Sequence, residues 1–167
     1  MTMKDHANNL SRWNIDSFNL RSYGLLIEDD RVLLSKEWYP HYPDGMIKFP
    51  GGGVKLGEGV GQAVRREFIE ELEMPISIES IFHVPDGFLK SHFDDTQVVA
   101  FYWNVKRLGG QIPLDSPRDI LTDKGTPGRQ KFMWIPLGEL KSEKMTFPFD
   151  KEVAELLIAV FRERNAD

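Results

Sequence analysis

The chain has 167 residues, of which 41% are hydrophobic, 28% are charged and 11% are aromatic, and these proportions exclude collagen-like, disordered and coiled-coil proteins. Lysine and arginine total 21 against 26 aspartate and glutamate, so the formal net charge is −5 and no basic surplus favours binding to duplex nucleic acid. The sequence contains no cysteine, which excludes disulfides, thiolate catalysis and cysteine-ligated metals.

The length predicts one domain, which we place at residues 13–167. Residues 1–12 are polar and lack the apolar stretch of a secretory signal, so we expect them to form a flexible N-terminal segment. The longest apolar run, at residues 98–103, is too short to span a bilayer. We therefore expect a cytoplasmic protein that does not bind membranes.

The first third of the domain is predicted to consist of strands and turns. Residues 13–18 alternate like a short strand, and residues 23–27 and 31–35 flank the polar sequence Glu28-Asp29-Asp30 like the arms of a hairpin. Three segments follow: a loop rich in proline, glycine and aromatic residues at 38–45, a short strand at 46–49 and a glycine run at 50–53 that is predicted to break regular structure.

A helix is predicted at residues 60–72, because Val60, Val64, Phe68 and Leu72 recur every fourth residue, and Pro75 ends it. The rest of the chain is predicted to form strands at 76–84, 97–106 and 131–135, a long loop at 109–130 and an amphipathic helix near 153–161. Strands and helices mix without strict alternation, which predicts an α+β domain or an α/β domain with a mixed sheet.

Carboxylates border the buried face of the first helix. At about 100° per residue, Glu67 and Glu71 lie beside the apolar stripe and Glu70 lies next to them. On an ordinary solvated helix they would form ion pairs such as Arg66–Glu70, worth about 0.2–0.5 kcal/mol each. That interpretation explains poorly why two like charges lie one turn apart beside the core. Three such carboxylates can supply oxygen ligands to a hard cation, Mg2+ or Mn2+, with Arg66 orienting Glu70.

Glycines precede this helix at positions 51, 52, 53, 57, 59 and 61, where the backbone can approach a ligand closely. Alone this loop is weak evidence, since it lacks the ending of a phosphate-binding P-loop and the spacing of a dinucleotide fingerprint. Loop and helix together resemble the Nudix box, and the matching residues are Gly52, Glu58, Arg66, Glu67, Phe68, Glu70 and Glu71. The preceding Phe49-Pro50-Gly51-Gly52 resembles the approach to the box in many family members.

One position departs from the box. Glu73 stands where the family has a glycine, which ordinarily caps the helix in a left-handed conformation. This puts the local cap geometry in doubt, although Pro75 can still end the helix. The carboxylates are unaffected.

The resemblance implies a Nudix-type α/β/α sandwich around a mixed sheet. It also implies Mg2+-dependent hydrolysis, with Mn2+ as the alternative cation, of a pyrophosphate linkage in a nucleoside diphosphate derivative by metal-activated water. The implied substrate is a nucleoside triphosphate, a nucleotide sugar or a dinucleotide. By resemblance the site residues are Glu67 and Glu71 as metal ligands, Glu70 as a further ligand or the general base, the carbonyl of Gly51 or Gly52 as an added ligand, and Glu58 holding Arg66 or a water molecule beside the metal.

Other roles stay open at the level of sequence. The base comes from a loop in some family members, and the candidates here are Asp94, Asp95, Asp115 and Asp119. Side chains that are suited to stack on a nucleobase are Trp38, Tyr39, Tyr42, Phe88 and Phe93, and lysines suited to phosphate are Lys48, Lys55 and Lys90. Family members are frequently homodimers, which leaves a homodimer open.

Two rival functions remain. One is a non-catalytic sensor of a nucleotide derivative with the Nudix fold, and the other is a plain cation-binding or structural domain. Every acidic position of the box is retained, which favours the enzyme.

Overall fold

The computed structural model describes residues 14–112, 114, 117–122 and 125–166. The predicted flexible segment at 1–12 and the candidate base Asp115 lie outside the described residues. Within them the elements are β1 (Ser17–Glu28), β2 (Arg31–Tyr39), β3 (Tyr42–Lys48), β4 (Gly51–Gly53), α1 (Val60–Leu72), β5 (Ile76–His83), β6 (Thr96–Arg107), β7 (Arg118–Leu121), β8 (Pro127–Pro136), a short 3-10 helix (Ser142–Lys144) and α2 (Pro148–Arg164).

The strands form one mixed sheet in the order β5-β6-β1-β2-β8-β7, with β3 paired to β2 and β4 paired to β1. Strands β1 and β6 run parallel, in a register that extends from Ser17↔Thr96 to Leu26↔Val105. The other pairings among the described strands are antiparallel. The prediction of a mixed sheet is therefore confirmed.

The helices cover opposite faces of this sheet. Helix α1 has the predicted bounds and buries Ala63, Val64, Phe68 and Leu72. The hydrophobic cluster under α1 includes Leu26, and the hydrophobic cluster under α2 includes Leu25. Neighbouring residues of a strand point to opposite faces of the sheet, so the two helices lie on opposite faces. This is the predicted α/β/α sandwich. No helix in the described part of the chain is long and apolar enough to cross a membrane.

The predicted hairpin is present, with Glu28 paired to Arg31. Between them Asp29 and Asp30 have φ of 48° and 57°, the left-handed values that a two-residue hairpin turn requires. Two segments that were predicted to be loops, however, contain strand residues. Most of the predicted loop at 38–45 belongs to β2 and β3, and the predicted loop at 109–130 contains β7 and the start of β8.

The prediction that the glycine run at 50–53 breaks regular structure is also wrong. Residues Gly51–Gly53 pair with β1 as strand β4. Glycine is needed here because a Cβ on Gly51 would lie 2.2 Å from the carbonyl oxygen of Ser22. A glycine run that by itself predicts an interruption of regular structure here allows two strands to lie close together.

Helix α1 ends in the geometry that a glycine would adopt, although the residue is glutamate. Glu73 has φ 51° and ψ 33°, in the left-handed region. Its N–H donates to the carbonyl of Ile69, and the N–H of Met74 donates to the carbonyl of Phe68. The left-handed cap that the resemblance implies is therefore present, with glutamate in place of glycine.

Candidate active site

Helix α1 and strand β4 bring the predicted metal ligands to one cavity of about 430 Å3, here called the acidic cavity. Its wall contains the carboxylates Glu67, Glu70 and Glu71 and the predicted backbone ligands Gly51 and Gly52. The further polar side chains in this wall are Arg21, Glu37, Tyr39, Lys48, Arg118, Asp119, Thr122 and Gln130.

Arg66 ties the glycine loop to the helix. Its Nε and Nη2 donate to the two carboxylate oxygens of Glu58 at 3.0 and 2.7 Å, and Nη2 also donates to the carbonyl of Gly53 at 2.9 Å. Its Nη1 donates to Glu67 at 2.7 Å and to Glu70 at 2.9 Å. The hydrogen bonds from Arg66 lower the pKa of Glu58 to about 2. Glu58 therefore contacts Arg66, which in turn holds two of the three helix carboxylates.

The glycine at position 52 makes room for a carboxylate. A Cβ on Gly52 would lie 2.5 Å from the carboxyl carbon of Glu67 and from one of its oxygens. That distance is far inside van der Waals contact, so a side chain at position 52 displaces the Glu67 carboxylate. The first glycine of the box is thus explained by the position of Glu67.

Glu71 is a half-buried residue, and one oxygen of its carboxylate is buried without a partner among the described residues. Gln130 Nε2 donates to its Oε1 at 3.0 Å, while Oε2 has no hydrogen-bond partner among the described residues. Burial raises the pKa of Glu71 to about 7, although the Lys48 ammonium acts in the opposite direction. An open, desolvated carboxylate oxygen is expensive to leave without a cation or a proton.

Lys48, a candidate for binding phosphate, is instead buried and paired. Its Nζ lies 2.9 Å from Glu37 Oε1 and donates to the carbonyl of Gly51 at 2.8 Å. Burial by itself would raise the pKa of Glu37, but Lys48 and hydrogen bonds from Tyr39 and Gln130 hold it below its usual value. Because the ammonium already occupies the Gly51 carbonyl, that carbonyl is a poorer candidate for a cation than the sequence indicated.

In this structure, no three acidic or histidine side chains of the described residues lie close enough together to hold a metal ion. Arg66 contacts one oxygen of Glu67 and one oxygen of Glu70. The second oxygen of each carboxylate does not contact Arg66, so both residues can offer an oxygen to a cation while Arg66 orients them.

A second cavity of about 560 Å3, here called the aromatic cavity, adjoins the first. Its aromatic lining residues are Tyr23, Tyr39, His41, Tyr42, His92, Phe93, Tyr102, Phe147 and Phe149. Tyr42 meets Phe93 edge to face with ring centroids 5.6 Å apart. The two cavities share wall residues, namely Arg21, Glu37, Tyr39, Lys48, Gly53 and Thr122. The two cavities therefore adjoin at these residues.

Two predicted stacking residues, Trp38 and Phe88, line neither cavity. Trp38 follows Glu37 and precedes Tyr39 in β2, so its side chain points to the opposite face of the sheet, where Lys36 Nζ lies 5.1 Å from its ring centroid. The side chain of Phe88 is 46% exposed outside the cavities.

The three candidate base aspartates that the structure describes lie in different places. Asp119 lines the acidic cavity and Asp94 lines the aromatic cavity. Asp95 forms an ion pair with Lys90 at 2.6 Å, which accounts for both residues without a substrate. Of the candidate loop bases that the structure describes, Asp119 is therefore the one beside the helix carboxylates.

Asp150 is a site residue that the sequence did not reveal. It lies in the first turn of α2, lines the aromatic cavity and is 1% exposed. Tyr102 donates a hydrogen bond to its Oδ1 at 2.7 Å, and Oδ2 has no partner in the described ranges. Burial raises the pKa of Asp150 to about 7. Aspartates are common at the start of a helix, where they interact favourably with the helix dipole. The local sequence therefore does not distinguish Asp150 from an ordinary helix-start aspartate.

Comparison with known proteins bears on the family and the fold of this chain. A family model described as a NUDIX domain matches residues 19–157. The 8-oxo-dGTP diphosphatase of Escherichia coli K12 is 27% identical over 84 residues, which are 50% of this chain and 62% of that protein, less than two thirds of its length. The Escherichia coli ORF135 protein has a similar structure, with a TM-score of 0.66, 18% identity and coverage of 92% of this chain and 96% of its own. A NUDIX hydrolase from Nitrosomonas europaea superposes with a TM-score of 0.63 at 20% identity, covering 83% and 86% of the two chains.

Proposed function

The chain belongs to the Nudix hydrolase family, and we propose that it hydrolyses a pyrophosphate linkage in a nucleoside diphosphate derivative. The observation that carries this proposal is the shared wall between the acidic and aromatic cavities. A nucleoside diphosphate derivative has two matching parts, since its phosphates need cations and its base needs a flat apolar surface.

The proposed metal is Mg2+ or Mn2+, with Glu67 and Glu71 as its main carboxylate ligands, Glu70 as a further ligand or the general base, and a backbone carbonyl of Gly51 or Gly52 as an added ligand. The donor set consists of oxygens alone, which suits a hard cation. The open Oε2 of Glu71 also supports this assignment, because a cation would satisfy it. When bound, the cation supplies charge neutralisation at the phosphates and lowers the pKa of a water molecule.

Arg66, Glu58 and Glu70 have supporting roles in this proposal. Glu58 holds Arg66 by two hydrogen bonds, and Arg66 then orients the carboxylates of the helix. We assign Glu70 as the general base because its side chain is 51% exposed, against 13% for Glu67. A base that takes a proton from water must be in contact with water. Asp119 is the alternative base in the same cavity.

A purine nucleoside triphosphate is the substrate that we propose to test first. The relative from Escherichia coli is named for a guanine nucleotide, 8-oxo-dGTP. Tyr39 and Tyr42 lie in the aromatic cavity, where either ring offers a face to a base. The open oxygen of Asp150 offers an acceptor to an N–H group on the edge of that base.

The test is a turnover screen with Mg2+ over nucleoside triphosphates, nucleotide sugars and dinucleotides. We expect phosphate-containing products from at least one class. Glu71→Gln should lower kcat by several orders of magnitude, while the matched control Glu73→Gln, on the exposed end of the same helix, should keep it. Wild-type turnover in Glu71→Gln would contradict the ligand assignment. Tight binding of a nucleotide without any turnover would favour the non-catalytic sensor.

A further inference from the structure

Arg21 lies where the two cavities meet. It is on β1, where it pairs with Gly53 of β4 and with Ala100 of β6. Its side chain lines both the acidic and the aromatic cavity. Its Nη1 would be 3.4 Å from a Cβ on Gly53, so the guanidinium extends over a residue that has no side chain.

Part of the Arg21 guanidinium has no hydrogen-bond partner among the described residues. Its Nε donates to the hydroxyl of Tyr23 at 3.0 Å. Neither Nη1 nor Nη2 donates to an acceptor within the ranges that the structure describes, and no carboxylate there forms an ion pair with it. Lys48 and Arg66, two other cations near these cavities, are each held by a carboxylate.

The surroundings keep this cation charged. Burial acts to lower the pKa of Arg21, but Tyr23 and the carboxylates of Glu67 and Glu37 raise it above its usual value. The carboxylates act through space without contact. A charged, partly desolvated guanidinium with two open nitrogen atoms is a strong binding group for an anion.

We propose that Arg21 binds a phosphate oxygen of the substrate at the point where the phosphate chain passes between the cavities. This inference rests on the proposed function, and it fixes the direction of the substrate. The nucleoside lies on the side of Tyr42 and Asp150, and the phosphates farther from it lie beside Glu67 and Glu71. The phosphate next to the nucleoside is the one that Arg21 holds, because this residue is at the shared wall.

The direction has a consequence for selectivity. Arg21 recognises the first phosphate of a nucleotide, so a nucleoside monophosphate binds more tightly than its nucleoside even when no scissile bond is present. A guanidinium presents two parallel N–H groups to a phosphate, whereas an ammonium acts as a point charge. A lysine at position 21 therefore recovers part of the binding but not all of it.

The experiment measures dissociation constants by calorimetry, with Mg2+ present, for the four common ribonucleoside monophosphates and their nucleosides. For the tightest pair, we expect the wild type to favour the monophosphate by about 10- to 100-fold, the range for charge-assisted hydrogen bonds. Arg21→Gln should remove this preference and leave nucleoside affinity unchanged, and Arg21→Lys should restore part of it. Arg107→Gln is the control, because Arg107 pairs with Glu28 outside both cavities.

The outcomes separate this inference from the proposed function. If Arg21→Gln keeps the wild-type preference while the wild type hydrolyses a nucleotide, the role of Arg21 is wrong and the function stands. An equal loss of nucleoside and monophosphate affinity would show a structural role for Arg21 and overturn the inference. If Arg21→Gln loses the preference for the monophosphate and the wild type shows no turnover, the role of Arg21 is supported and the proposed hydrolase activity is refuted. If the wild type binds neither ligand, the role of Arg21 is wrong, and the turnover screen alone decides the proposed function.

Discussion

Replacing Glu73 by glycine should stabilise the protein. Glu73 caps helix α1 with φ 51°, a conformation that only glycine adopts without a penalty from its side chain. The two backbone hydrogen bonds of the cap, from Glu73 to Ile69 and from Met74 to Phe68, do not need the glutamate side chain. The substitution therefore removes strain while leaving the cap in place.

The magnitude follows from three terms. A left-handed non-glycine residue costs about 1–2 kcal/mol, which glycine relieves. The greater conformational freedom of glycine in the unfolded chain reduces this gain in stability by about 0.4–1 kcal/mol. Removing a negative charge from the C-terminal end of α1 adds a few tenths of a kcal/mol. We expect a net gain of about 1 kcal/mol, which raises Tm by about 2–4 °C in a domain of this length.

The assay is urea and thermal unfolding of the metal-free protein, with Glu73→Ala as the matched control. Alanine removes the charge but keeps the Cβ, so it should recover only the electrostatic part. Equal gains for Glu73→Ala and Glu73→Gly would show that charge and not backbone conformation is responsible. A loss of stability in Glu73→Gly would refute the strain argument altogether.

Three further substitutions test the site. Asp150→Asn should flatten the pH dependence of stability: the folded carboxyl, with its pKa raised from 3.8 to about 7, keeps a proton that the unfolded chain releases, so wild-type stability falls as pH rises through this window. Urea titrations at several pH values measure this. Gly52→Ala should lower kcat with Mg2+ by about 100-fold in steady-state assays, because its Cβ displaces the Glu67 carboxylate. Gln130→Ala removes the donor to Glu71 and should lower the free energy of unfolding in urea by about 1–3 kcal/mol.

Each substitution has a control. For Asp150→Asn, the slope of stability against pH is diagnostic, and a uniform offset with an unchanged slope would contradict the argument. Gly59→Ala is the control for Gly52→Ala, since its Cβ would meet its nearest neighbour at 3.4 Å, an ordinary contact. Asn104→Ala removes an exposed hydrogen bond to Ser80 and should cost less than Gln130→Ala. Equal losses would show that burial at Gln130 does not matter.

The helix that carries the carboxylates was predictable from local pattern. Its apolar residues recur at helical spacing, so the period alone places Val64 and Phe68 in the core and Glu67 and Glu71 at its border. The family pattern then identified the glycine loop. Both signals lie within a single short segment of chain, which is why the sequence contains them.

The rest of the site depends on contacts that no local pattern records. Gln130 reaches Glu71 across 59 positions of sequence, and Tyr102 reaches Asp150 across 48. Arg21 becomes significant only because β4 and β6 flank it. Strand β4 was missed for a related reason, since glycines that form a ladder look like glycines in a turn. These positions follow from the sheet order, which local periodicity does not determine.

The parallel pairing of β1 with β6 also governs when the site forms during folding. It joins segments about 80 residues apart, and both strands line the aromatic cavity through Tyr23 and Tyr102. Closing so long a loop is entropically unfavourable, so local elements such as α1 and the β1–β2 hairpin form on faster timescales. A chain with its carboxylate helix formed but this pairing absent lacks the wall that the acidic and aromatic cavities share. Recovery of activity on refolding should therefore follow the slowest folding phase, with no partly active species before it.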